Sequence, residues 1–123
     1  MKELKIVIAE DFEMLSRLLR LTLSRVEGFN VVGVAADGAG AISLVRELNP
    51  HVLILDISLP LKDGIEVLEE IRATDSSTLI VMFTAEQSQI IKQVCLDVGA
   101  NYFLDKSQIA ELVEICSLHR LAL

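Results

Sequence analysis

At 123 residues, 52% of them hydrophobic and with only two prolines and six glycines, the chain can bury a real core without disulfides or a structural metal, which excludes a disordered segment. A net charge of −7 sets the surface against phosphate backbones and anionic lipid, so nucleic acid and membranes are unfavourable direct partners. No apolar run nears the roughly 18 residues of a membrane span, the amino-terminal stretch is too short for a secretory signal, and Cys95 and Cys116 have no partner at metal-ligand spacing, all as expected of a cytoplasmic protein.

In chain order, "LKIVIA" (4–9) is short, β-branched and apolar on both faces, the pattern of a parallel strand covered by helices on both sides. The helical period of 12–28 follows, with Leu15, Leu19 and Val26 on one stripe and Gly28 as its stop. A second strand over 30–36, a helix over 39–49 halted by Pro50, and a third strand over 51–55 continue the alternation. Residues 64–73 are expected to be helical, 78–83 a fourth strand, 86–99 a helix, 101–105 a fifth strand and 107–121 a last helix. Strict alternation implies right-handed crossovers, hence a single α/β domain over residues 1–123: a doubly wound, five-stranded parallel sheet with five helices. His51 and His119 have no cysteine or acidic residue at useful spacing and are expected to pack or face solvent.

In an open doubly wound sheet, ligands bind beyond the carboxyl ends of the strands, where strand order reverses. The first strand ends in Glu10 and Asp11, the third in Asp56, the fourth in Thr84 and the fifth in Lys106. With the order 2-1-3-4-5, the flavodoxin-like arrangement, the first and third strands are neighbours and three carboxylates meet in one crevice. Their mutual repulsion is relieved by a hard divalent cation, and oxygen ligands suit Mg²⁺. Asp56 can then act as a nucleophile that accepts a phosphoryl group as an acyl phosphate, with the Thr84 hydroxyl and the Lys106 ammonium as donors to its oxygens.

These residues resemble the receiver domains of bacterial two-component response regulators over nearly the whole chain. The resemblance rests on the Glu10-Asp11 pair, on "DISLPLKDG" with Asp56, Pro60 and Gly64, on "TA" at 84–85, on "GA" at 99–100 and on Lys106. It implies that Asp56 is the phosphoacceptor, that Glu10 and Asp11 bind Mg²⁺ directly or through water, and that Ser58 adds its backbone carbonyl. It implies a phosphorelay switch, fed by a sensor histidine kinase or histidine phosphotransfer protein, with slow loss of the phosphoryl group. Thr84 and Phe103 take the switch positions, and the surface of the fourth helix, fifth strand and fifth helix becomes a homodimer or partner interface. Two features depart from the family: Ser107 stands where a proline most often follows the lysine, raising the question of a cis or trans Lys106-Ser107 bond, and the switch aromatic is Phe rather than Tyr, with Tyr102 beside it.

The first helix carries a second apolar row, Met14, Leu18 and Leu21, which is either a broad core face or a docking surface for a partner helix. A Mg²⁺-dependent phosphohydrolase would also use Asp56 as nucleophile, but such enzymes commonly place a second aspartate two residues later, where this chain has Ser58. A receiver-like domain that binds partners without phosphorylation is opposed by the presence of every acidic ligand.

Overall fold

The structure, a computed structural model, describes residues 2–123. Strands β1 (Leu4–Ala9), β2 (Phe29–Ala35), β3 (Val52–Leu55), β4 (Leu79–Thr84) and β5 (Tyr102–Asp105) form one parallel sheet in the order β2-β1-β3-β4-β5. Helices α1 (Glu13–Ser24), α2 (Gly38–Leu48), α3 (Gly64–Arg72), α4 (Gln89–Val98) and α5 (Ile109–Leu121) alternate with them. This is the doubly wound α/β fold expected from the alternation, in the flavodoxin-like strand order considered above.

The unbroken apolar strands acquire meaning once both faces are covered. Val7, Leu53, Leu55, Ile80 and Met82 point to one side, where Val45, Leu68 and Cys95 of α2, α3 and α4 pack on them. Ile6, Ile8, Ile54, Val81 and Phe83 point to the other, against Leu19 and Leu23 of α1 and Leu112 and Cys116 of α5. The period of two is therefore present in the structure but invisible in the hydropathy of the central strands, because every position of β3 and all but the first of β4 are buried. Both cysteines are free and buried, packing as expected, and desolvation pushes the Cys116 thiol up to about 12.

Helix ends follow local chemistry. Asp63 accepts from the amides of Ile65 and Glu66 while Glu66 accepts from the Asp63 amide, a capping box that fixes the start of α3. Asp37 caps α2, and Asn49, in the left-handed region at φ 46°, ends it before Pro50. The expected first helix runs too long: α1 stops at Ser24, and Val26 to Gly28 form a turn into β2 in which the Phe29 amide donates to Val26 O. Val26 reaches the core from that turn rather than from the helical stripe. The fourth helix begins at Gln89 with Ser88 as its cap, not at 86, because Glu86 and Gln87 are spent on hydrogen bonds to Thr84. The fifth likewise starts at Ile109 rather than 107.

At the amino-terminal edge of the sheet, His51 precedes β3 and takes more than a packing role. Its Nδ1 accepts the Lys5 amide at 2.8 Å while its own amide donates to Lys5 O at 2.9 Å, joining β1 to the start of β3. Burial, with the nearby charges of Lys5, His119 and Lys2, lowers its pKa. A folded-state pKa below the unfolded value of about 6.5 gives stability that is complete above that value and is lost as pH falls through the interval beneath it. We predict that the melting temperature of the wild type falls more steeply from neutral pH towards pH 5 than that of His51→Asn, whose amide oxygen can accept the same bond without titrating. Parallel melting profiles against pH would refute this.

Candidate functional site

Three strands of the sheet end in groups that meet. Glu10 follows β1 and Asp56 follows β3; their amides donate to Ala35 O and Ala9 O respectively, so both residues continue the sheet by one position. Both are nearly solvent-free, Glu10 3% and Asp56 2% exposed, and ligand atoms of Glu10, Asp11 and Asp56 all lie within 4.8 Å of one another. Asp11 is the exposed member of the three.

Lys106, just beyond β5, reaches across to this cluster. Its Nζ lies 2.8 Å from Asp56 Oδ2 and 2.9 Å from Glu10 Oε1. The ammonium is an ion-pair partner to both, but Glu10 Oε1 receives no well-directed hydrogen bond, while Glu10 Oε2 accepts the Phe12 amide at 3.0 Å. Burial raises the Glu10 pKa and proximity to Asp56 adds to the rise, partly offset by Lys106 and the Phe12 amide. For Lys106 burial acts downward, but its ion pairs with Asp56 and Glu10 outweigh it and the ammonium is held above its ordinary range.

Loop geometry holds this arrangement. Gly64 opens α3 with its amide on Ile57 O at 2.7 Å, and a Cβ there would overlap the carbonyl oxygen of Asp56. The glycine is thus required for the helix to approach the backbone of Asp56 so closely. After β5, the Ser107 amide and hydroxyl donate to Asp105 Oδ2, and the Asp105 amide donates to Gln108 Oε1. No peptide bond among the described residues is cis, so Lys106-Ser107 is trans, and Ser107 uses an N–H that proline would lack. Asp105 and Gln108 are parts of the site that the motif did not single out; the Asp-x-Ser spacing is the available signal, since aspartate bonds the backbone two residues on.

The other expected residues lie nearby in different roles. Ser58 meets Asp56 through its amide, at 3.4 Å from Oδ1. Thr84 is 1% exposed, and its Oγ1 accepts the Glu86 amide at 3.2 Å rather than bonding a carboxylate. Phe103 is half-buried against the α2–α4 side of the core, next to Met82 in register, whereas Tyr102 is 44% exposed. Met14, Leu18 and Leu21 are 73%, 50% and 58% exposed, so the second row of α1 is no part of the core.

Hard oxygen donors, a buried carboxylate oxygen without a directed hydrogen bond, and repulsion between acids fit a small divalent cation, and Glu10, Asp11 and Asp56 could hold one. A doubly wound sheet with carboxylates where its strand order reverses is an α/β domain built to hold charged ligands at one edge. The chain belongs, more particularly, to the Response regulator receiver domain family, whose profile matches residues 6–117. Its acidic pocket is typical of the phosphoacceptor and Mg²⁺ site of that family. It is 33% identical over 108 residues to a protein-glutamate methylesterase/protein-glutamine glutaminase of Trichodesmium erythraeum, covering 86% of this chain but 31% of that protein. It likewise spans half the length of a second relative, from Pseudomonas aeruginosa, at 32% identity. Among solved structures, a LuxR-family two-component response regulator from Aurantimonas sp. superposes with a TM-score of 0.89 at 30% identity, over 97% of this chain and 86% of that one. The CheX-CheY-BeF3-Mg²⁺ complex from Borrelia burgdorferi gives a TM-score of 0.87 at 27% identity, covering 95% and 90%.

Removing the Lys106 ammonium leaves two buried carboxylates facing each other. Lys106→Met is expected to lose roughly 2 kcal/mol of stability, a buried-pair loss discounted for the partly exposed lysine. Because a divalent cation can replace the missing charge, Mg²⁺ should recover more melting temperature in this variant than in the wild type. An equal loss with and without Mg²⁺ would show that the pocket does not bind it.

Proposed function

We propose that the chain is a phosphorylation-controlled switch of a two-component phosphorelay, in which Asp56 receives a phosphoryl group from a histidine kinase or histidine phosphotransfer protein. The observation that carries this reading is the convergence at Asp56: a buried carboxylate, paired with the Lys106 ammonium, within one cluster with Glu10 and Asp11. In the transfer, an Asp56 oxygen bonds to phosphorus as the bond from phosphorus to the imidazole nitrogen of the donor breaks; with the donor's other ring nitrogen protonated, this leaves neutral imidazole and an acyl phosphate. Glu10, Asp11, Asp56 and the Ser58 carbonyl would hold Mg²⁺, which supplies positive charge to the oxygens of the moving group. Lys106, already at Asp56, adds a second cation and remains as a partner to the new phosphoryl oxygens. The same pocket, opened to water, would release the group slowly by hydrolysis.

Readout follows from Thr84 and Phe103. The Thr84 hydroxyl accepts from Glu86 and keeps its own proton for donation, so a phosphoryl oxygen at Asp56 offers it a charge-assisted bond. Movement of Thr84 towards that oxygen frees space beside β5, and the half-buried Phe103 ring can fill it. Without a hydroxyl, the ring enters with no phenol to desolvate, a cost of roughly 1–3 kcal/mol for tyrosine. The surface of α4, β5 and α5 then presents a changed face to a partner or a second copy. Met14, Leu18 and Leu21, exposed on α1, would meet the helix of the phosphoryl donor.

Acetyl phosphate with Mg²⁺ is expected to label the protein by one phosphoryl mass at Asp56, and Asp56→Asn is expected to stay unlabelled. Labelling of that variant to the wild-type extent would overturn the assignment. For the readout, the Phe103 ring resonances should shift when beryllofluoride and Mg²⁺ are added. An unchanged ring environment would reduce Phe103 to a packing residue.

A further inference from the structure

At the amino-terminal edge of the sheet, opposite the Asp56 pocket, β3 and β4 start side by side, with Val52 next to Leu79 in register. The chain enters β3 from α2 through Asn49 and Pro50, and enters β4 from α3 through residues 73–78. The Thr78 hydroxyl donates to Pro50 O at 3.5 Å and ties the two connections at one point. Beside that tie a cleft of about 380 Å³ remains between them, within the roughly 300–1,000 Å³ of small-ligand sites. Its lining includes the buried Val45, Pro50 and Ile71 and two opposite charges, Arg46 and Asp75. Arg46, exposed in the last turn of α2, makes no hydrogen bond or ion pair with a protein group among the described residues. Asp75 is held by the amides and hydroxyls of Ser77 and Thr78, three bonds on Oδ1 but one on Oδ2, so Oδ2 can take a further donor. These bonds keep it ionised, with its pKa lowered to about 2. Neither charge has an ion-pair partner among the described residues, so the two line one cleft without meeting.

We propose that this cleft binds a free α-amino acid with a small aliphatic side chain. Its carboxylate lies on the Arg46 guanidinium, its ammonium on Asp75 Oδ2, and its side chain against Val45, Pro50 and Ile71. A guanidinium takes a carboxylate through two parallel bonds, and an ammonium is a compact donor suited to a single carboxylate oxygen. A zwitterion carries no net charge, so a chain of net charge −7 does not repel it as it would a phosphate ester or a dicarboxylate. Ligands with half of this chemistry fit less well: an anion meets Asp75, a cation meets Arg46, and an apolar molecule takes water from both charges without replacing it.

Titration of the isotope-labelled protein with L-valine, followed by the backbone amide resonances, tests this. Saturable shifts are expected in residues 45–49 and 71–78. N-acetyl-L-valine lacks the ammonium and L-valinamide lacks the carboxylate, so each should bind about ten-fold more weakly or worse, the loss of one charge-assisted bond. Arg46→Gln should weaken L-valine to a similar degree and Arg46→Lys less, because lysine keeps the charge but not the fork. Arg46 is exposed, so the variant keeps the core, and its unchanged resonances outside the cleft confirm the fold. An absence of shifts in these residues at the highest soluble concentration of L-valine overturns the proposal. So does N-acetyl-L-valine binding as tightly as L-valine, which would reduce the site to an anion contact on Arg46, or an affinity unchanged in Arg46→Gln. Labelling of Asp56 by acetyl phosphate reads the other edge of the sheet, so the proposed transfer chemistry stands or falls independently of this result.

Discussion

The position of the Lys106 ammonium between Glu10 and Asp56 is the contact on which the arrangement of this edge of the sheet depends. Two carboxylates less than 4% exposed are costly to keep ionised, and a shared cation at 2.8 and 2.9 Å offsets that cost only while all three strand ends stay aligned. β1, β3 and β5 are therefore linked by charge beyond the point where their ladder ends. The fit is incomplete: Glu10 Oε1 has an ion-pair partner without a directed bond, and burial, with Asp56 beside it, raises the Glu10 pKa. A site fully satisfied by its own lysine would gain little from a metal; this one retains a deficit of positive charge that a divalent cation would relieve.

The polar edge and its opposite differ in how their bonds are committed. On the amino-terminal side, the Arg72 guanidinium donates to the carbonyls of Gly99, Asp75 and Thr78 and to Asn101 Oδ1, stitching α3, α4, β4 and β5 together. Asp75 below it, despite burial that acts upward, is held down at about 2 by the hydroxyls and amides of Thr78 and Ser77. Around Arg72 few groups are uncommitted. At the other edge the Thr84 proton is uncommitted and Glu10 Oε1 is held by an ion pair alone, so a charge change at Asp56 would have somewhere to act.

Much of this was legible in the residues themselves. Alternating apolar and amphipathic runs carry the fold because parallel strands must be covered on both faces, and five such runs leave little topological choice. Carboxylates, hydroxyl and lysine at successive strand ends carry the pocket because the ends of parallel strands lie on one side. What the sequence hid was local and competitive. The apolar spacing of α1 continues past Ser24 to Val26, although that residue reaches the core from a turn. Glu86 and Gln87 have helical propensity, but Thr84 claims their donors first. Tight placement of Gly64 on Asp56 O is a distance between segments, which no periodicity encodes.

The Ser107 substitution shows how a motif can change while its geometry is held by other means. A proline in this place restricts the loop through its ring; serine lacks that constraint and brings an amide and a hydroxyl in exchange. Both are donated to Asp105 Oδ2, and Gln108 closes the turn from the other side by accepting the Asp105 amide. These bonds lower the Asp105 pKa, the Ser107 hydroxyl contributing most, so the carboxylate stays an acceptor throughout the neutral range. The loop that aims Lys106 is thus fixed by hydrogen bonds that water can compete for, whereas a ring constraint cannot be displaced. Lys106 therefore has the positional support needed to bridge two acids, on a loop whose own bonds are exchangeable.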